Sequence, residues 1–240
     1  MEGMIMDNRD QIKGYSFFIS IVIWGTIWGI FEATVGYLLH LLPFRIGWLV
    51  WYPVACFFMS NAYRRTNRVS SVLFVGILCA SIKMLNLLFP VSIDRVINPA
   101  VSIVLEALAM ALVIFVLNRT YNGKAKSPFV KLLAAFSMNT AWRTLYILYL
   151  LFLVPDWMRE ISVIGSAEKF VPFFVTQNLI TSFLLFAGYQ FKHIIFRPVE
   201  AAERKIASVC KSIPSHAMPA LKISIVLLLL CADAALELLL

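Results

Sequence analysis

The sequence has few charged residues for its length. Only 14% of its 240 residues are charged, whereas 61% are hydrophobic. A soluble globular chain of this size needs more polar side chains than that to cover its surface. The composition therefore predicts an integral membrane protein.

The sequence also lacks the clustered histidines and cysteines of metal sites and disulfide frameworks. No CxxC pair occurs, and the ligand-type residues stand far apart. The histidines are His40, His193 and His216, and the cysteines are Cys56, Cys79, Cys210 and Cys231. We predict no metal site, no cofactor and chemically inert thiols.

Motifs of common enzyme classes are missing as well. The chain has no GxSxG nucleophile elbow, no HExxH zinc pair, no Asp-rich prenyl-diphosphate motif and no Walker A loop. Any coupling to ATP would therefore come from another subunit. We predict a protein without enzymatic activity of its own, and a membrane enzyme that uses Glu32 or Glu106 as a base stays open as an alternative.

Long apolar runs take the place of these motifs. A membrane-spanning helix needs about 20 apolar residues, and six segments approach that length. They are Phe17–Leu41, Ile46–Ala62, Val69–Phe89, Pro99–Leu117, Pro128–Val154 and Phe170–Phe191, with Leu221–Leu240 as a seventh candidate. We predict an all-α integral membrane protein, a bundle of six transmembrane helices with a possible seventh C-terminal apolar helix. Its parts are a membrane domain (1–194), an amphipathic interfacial segment (195–218) and the C-terminal apolar helix (219–240).

The net charge of +8 predicts an orientation rather than a nucleic-acid partner. The basic residues concentrate in the second loop, in the fourth loop and after the sixth apolar segment, while the other loops hold few. Cytoplasmic loops carry such an excess of Lys and Arg. The rule predicts a cytoplasmic N-terminus and no binding of nucleic acid.

Four ionisable residues interrupt the apolar segments: Glu32, Lys83, Glu106 and Arg143. At about 1.5 Å of rise per residue, all four fall in the outer half of a hydrocarbon core about 30 Å thick. Two readings stay open. The charges form buried pairs that only orient helices, or they line a binding site for a small polar or zwitterionic molecule.

The shared depth of the four charges favours the binding site. Side-chain amides and an indole at a similar depth are predicted to belong to the same site. The predicted substrate-binding residues are Glu32, Lys83, Asn86, Glu106, Asn139, Trp142, Arg143, Gln177 and Asn178.

The first apolar segment carries a stripe of small residues, Gly25, Gly29 and Ala33, spaced four apart. Such a stripe lets another helix approach closely. It predicts either packing inside the protein or a docking face for a partner subunit.

With this stripe, written GTIWGIFEA, the chain resembles the substrate-binding S components of energy-coupling factor transporters, small prokaryotic membrane proteins of about six helices. The resemblance covers Phe17 to Phe191. It implies a multi-pass protein of the prokaryotic inner membrane that captures a vitamin-like molecule near the outer face. It also implies that Gly25, Gly29 and Ala33 dock on a transmembrane coupling subunit, which works with ATPase subunits. The runner-up is a structural or assembly subunit of a membrane complex whose intramembrane charges are paired.

Overall fold

The structure is a computed structural model. It describes residues 17–35, 47–88, 92–121 and 127–211, and isolated positions between 220 and 235. Every regular element within these ranges is helical, in agreement with the predicted all-α fold. The N-terminal 16 residues, His40 and most of the seventh candidate segment lie outside the described residues.

The helices follow the predicted apolar segments. They are α1 (Phe17–Val35), α2 (Gly47–Thr66), α3 (Val69–Lys83, continued by a 3₁₀ turn, Met84–Leu88), α4 (Ile93–Tyr121), α5 (Pro128–Phe152), α6 (Asp156–Ile161), α7 (Ala167–Val171, continued by a π-helical turn, Pro172–Thr176), α8 (Gln177–Gln190) and α9 (Lys192–Lys211). Helix α9 overlaps the segment 195–218, whose place at the membrane interface stays a prediction.

Four of the described helical stretches are long and apolar enough to cross a membrane: Phe17–Val35, Val69–Leu88, Ile93–Tyr121 and Ala167–Gln190. The all-α fold is therefore confirmed, and the predicted count of six spans is not. Helices α2 and α5 have 20 and 25 residues, so they are long enough to cross a membrane but are not among the four. Polar residues within them, such as Asn61 in α2 and Arg143 in α5, lower their apolar character.

Helix α4 begins earlier than predicted. The apolar run Pro99–Leu117 predicts a helix that begins at Pro99. In the structure the helix starts at Ile93 and Pro99 lies inside it. Glu106 is consequently about 20 Å from the start of its helix at 1.5 Å per residue, about twice the distance from Pro99.

The helices pack as a closed bundle. Helix α3 contacts α4, α4 contacts α5, α5 contacts α8, and α8 returns to α2, which also packs on α3 and α4. Helix α1 joins through aromatic contacts. Trp24 meets Phe57 edge to face with ring centroids 6.4 Å apart, and Phe17 meets Phe74 at 6.1 Å. These contacts hold α1 against α2 and α3.

At one end of the bundle, polar contacts connect the helices. Arg64 of α2 forms an ion pair of 2.6 Å with Glu200 of α9, and its guanidinium lies 4.9 Å from the centre of the Phe196 ring. Lys131 of α5 donates a hydrogen bond of 2.9 Å to Gln190 of α8. This is the end at which the sequence concentrates its basic residues.

Candidate functional site: a charged cavity at one end of the bundle

The opposite end of the bundle contains a cavity of about 690 Å³. Its wall takes late residues of α1, α3 and α5 and early residues of α2, α4 and α8. Because successive long helices run in opposite directions, these stretches meet at the same end. The volume lies within the range of roughly 300–1,000 Å³ that is typical of small-molecule sites.

The cavity brings together most of the residues singled out from the sequence. Those on its wall are Glu32, Lys83, Asn86, Glu106, Trp142, Arg143 and Gln177. The remaining two, Asn139 and Asn178, are buried behind the wall. The depth pattern therefore located a shared cavity, and a role for these residues in substrate binding stays a prediction.

Asn139 organises the polar layer behind the wall. Its side-chain amide donates to the Asn178 backbone carbonyl at 2.8 Å and to the Ser182 hydroxyl at 3.1 Å. Its carbonyl oxygen accepts from Trp142 Nε1 at 2.7 Å and from Arg143 Nε at 3.3 Å. Asn139 is fully buried, so these bonds are shielded from water and fix the orientation of both cavity residues.

Arg143 is buried, with only 1% of it exposed, and other residues contact it on several sides. Besides its bond to Asn139, it donates through Nη1 to the Phe173 carbonyl at 2.5 Å. The guanidinium also lies 4.8 Å from the Trp142 ring centre and 4.6 Å from that of Phe173, which suits a cation–π contact. The Phe173 carbonyl belongs to the π-helical turn, a feature that often marks functional positions.

The two carboxylates inside the helices lie in different settings. Glu106 is buried and accepts a hydrogen bond of 3.3 Å from Ser102, one turn earlier on α4. Glu32 is half-buried and accepts a bond of 3.1 Å from Trp28 Nε1, one turn earlier on α1. Within the described ranges, no ion pair joins Glu106 to Arg143. Glu106 and Arg143 therefore do not form the buried ion pair that the helix-orienting alternative predicts.

Several cavity residues were not singled out from the sequence. Tyr52 is only 1% exposed, and its side chain lies beside the Cys56 thiol. Asp94 and Asn98 at the start of α4, with Tyr146 on α5, complete the polar wall. Tyrosines and helix-end residues resemble ordinary interfacial anchors in a membrane sequence, so no sequence signal separated them.

A second, smaller cavity of about 540 Å³ adjoins the first. The two share wall residues, among them Asn98, Tyr146 and Phe173. Its other residues come from the segment that contains α6 and α7, including Glu168 and Lys169. This segment therefore borders the end of the bundle at which the first cavity opens.

The small-residue stripe of α1 faces the interior. Gly25, Gly29 and Ala33 are all buried, and a Cβ atom at Gly25 would lie 2.9 Å from Leu78 Cδ2 on α3. Ala33 also borders the first cavity. These positions support close packing of α1 on α3, and contact with a coupling subunit stays a prediction.

No metal-ligand cluster accompanies the cavity in the described part of the chain, where no group of three or more His, Cys, Asp or Glu side chains is placed to hold an ion. Comparisons of the chain with protein-family models, with curated proteins and with solved structures find no match.

Proposed function

We propose that the protein spans a membrane with six helices and binds a small polar molecule in the 690 Å³ cavity, as the substrate-capture subunit of an uptake transporter. The observation that carries the proposal is the cavity wall, where buried ionisable side chains of both signs from different helices meet aromatic rings. Because burying such charges is costly, those inside membrane helices pair with one another or line a functional site. The pre-positioned Arg143, held by Asn139 and Phe173, supports the second purpose.

Exposed apolar side chains support the membrane setting. Phe74 on α3, Phe115 on α4 and Phe183 on α8 are 48%, 53% and 64% exposed. Large exposed apolar surfaces are unusual on soluble monomers, whereas lipid suits them. On this proposal the end joined by Arg64 and Glu200 faces the cytoplasm and the cavity opens outward, as in capture of an external solute.

The proposed topology predicts the location of two reporter fusions. A reporter fused after Asn67, between α2 and α3, should lie in the cytoplasm, since Arg64, Arg65 and Arg68 surround that turn. One fused after Ile161, at the end of α6, should lie outside. Alkaline phosphatase and fluorescent-protein fusions measure this directly, and the reversed pattern would contradict an outward-facing cavity.

The binding proposal predicts that Glu32→Gln reduces ligand occupancy by at least tenfold. Glutamine keeps an oxygen for the Trp28 indole N–H, so the helix packing should survive while the charge is lost. Native mass spectrometry of the full chain, purified from membranes, measures the fraction that retains a bound small molecule, and thermal unfolding measures stability.

Glu160→Gln is the matched control, because Glu160 is exposed on α6 and borders neither cavity. Its occupancy and melting temperature should equal those of the unaltered protein. If Glu32→Gln instead lowers the melting temperature sharply with occupancy unchanged, Glu32 acts as a structural partner. Such an outcome would favour the assembly-subunit alternative.

A further inference from the structure

The cavity wall carries charged side chains of both signs. Among the described residues that line it, three are acidic and three are basic: Glu32, Asp94 and Glu106, and Lys83, Arg95 and Arg143. A purely anionic ligand would meet three carboxylates in this space, and a purely cationic one three cations. A ligand with a single charge is thus attracted by one half of these side chains and repelled by the other half. The wall therefore suits a ligand that carries both signs.

Burial identifies the two charges that lie deepest. Arg143 is 1% exposed and Glu106 6%, while Asp94 is half-buried and Arg95 is exposed. A ligand that fills the cavity must therefore satisfy Arg143 and Glu106 away from water, where a charged hydrogen bond is strongest.

Both deep groups keep hydrogen-bonding capacity. A guanidinium has five N–H donors, and Arg143 uses one on Asn139 and one on Phe173. Glu106 accepts one long bond, from Ser102, although a carboxylate can accept about four. Neither group has an ion-pair partner among residues 17–35, 47–88, 92–121 and 127–211. Each is thus available to a ligand group of opposite charge.

Aromatic rings form much of the remaining wall. Trp48, Trp51 and Tyr146 are half-buried and border the cavity. Ring faces of this kind bind flat aromatic groups by offset or edge-to-face packing.

We infer that the ligand of the proposed binding function is a small aromatic zwitterion. Its oxyanion group, a carboxylate or a phosphate, binds Arg143, and its ammonium group binds Glu106. Its ring packs against Trp48 and Trp51. This assignment rests on the proposed function and narrows it to one chemical class.

Four probes test the class: one zwitterion with a ring, and three analogues that each lack one of its groups. They are L-tryptophan, tryptamine without the acid, 3-indolepropionate without the amine, and L-leucine without the ring. Titration calorimetry on the full chain in nanodiscs should show L-tryptophan binding at least tenfold more tightly than each of the others. Equal binding of any single-group analogue, or binding of none of the four, overturns the inference.

Charge-deleted variants test the assigned contacts. Arg143→Gln should abolish the preference for L-tryptophan over tryptamine and keep the preference over 3-indolepropionate, and Glu106→Gln should do the reverse. Arg119→Gln, an exposed position on α4, and Glu160→Gln should keep both preferences. A variant that loses both preferences alike, or neither, contradicts its assignment.

The ring contact has its own pair of variants, which stay informative if a buried-charge variant fails to fold. Trp51→Leu should reduce the preference for L-tryptophan over L-leucine at least fivefold, whereas Trp157→Leu, an exposed position outside the first cavity, should not. An unchanged preference in Trp51→Leu would contradict the ring contact.

Mass spectrometry separates failure of the inference from failure of the function. A co-purified molecule that lacks a ring or one of the charges overturns the zwitterion assignment and leaves the binding function standing. Absence of any bound molecule, together with no binding of the probes, overturns both.

Discussion

Replacing Asn139 with leucine is expected to abolish ligand binding and to destabilise the protein by about 3 kcal/mol or more, since unpaired buried polar groups cost roughly 1–3 kcal/mol each. The substitution removes the acceptor of the Trp142 indole N–H and of the Arg143 Nε–H. It also leaves the Asn178 carbonyl and the Ser182 hydroxyl without the Asn139 amide as donor. Thermal unfolding and calorimetry with the co-purified ligand measure the two effects.

Asn118→Leu is the matched control for this variant. Asn118 is half-buried on α4 at the opposite end of the bundle and makes one side-chain bond, of 2.8 Å, to the Tyr63 hydroxyl. Its loss should cost about 1 kcal/mol, the net worth of one hydrogen bond, and should leave binding unchanged. Similar behaviour of the two variants would show that Asn139 is not a positioning residue for the cavity.

Replacing Gly76 with leucine is expected to prevent assembly of α3 on α4. A Cβ atom at Gly76 would collide with the Cβ atom of Ala107 and would lie 3.4 Å from the Ile103 carbonyl oxygen. Even one added methyl in such a close-packed contact costs about 1–3 kcal/mol, and leucine adds three further carbons. We expect little monodisperse protein in detergent, as measured by size-exclusion chromatography, and a clear loss of melting temperature already for Gly76→Ala.

Gly188→Ala on α8 separates the packing effect from helix propensity. A Cβ atom there would meet only Ile195 Cδ1, at an ordinary distance of 3.7 Å. Alanine in place of a helical glycine gains about 0.5–1 kcal/mol, so this variant should be as stable as the unaltered protein or more so. If Gly76→Ala is stabilising to the same degree, the α3–α4 contact is looser than described.

Some features of the site could be predicted without the fold. Apolar length and the spacing of loop charges are local properties, and together they gave the depths of Glu32, Lys83 and Arg143 in their helices. Because charges at one depth in neighbouring helices tend to meet, their convergence on one cavity followed. The distance of Glu106 from the start of its helix was not predicted correctly, since α4 continues past Pro99 to Ile93.

Other features could not be predicted in this way. Helical spacing shows which residues share a face, but which neighbour that face meets depends on packing of the whole bundle. Only the tertiary structure separates Asn139, behind the wall, from Arg143, on it. The same holds for the stripe of α1, whose Gly25 packs on Leu78.

The sequence by itself determined an all-α chain with long apolar helices, and it determined the residues that interrupt them with charge, because both depend on residue type and position along the chain. The tertiary structure decided how the cavity is built. The π-helical turn at Pro172–Thr176 presents the Phe173 carbonyl to Arg143, and the rotation of α2 places Tyr52 on the wall. These arrangements arise from contacts between helices distant in sequence, which no local pattern records.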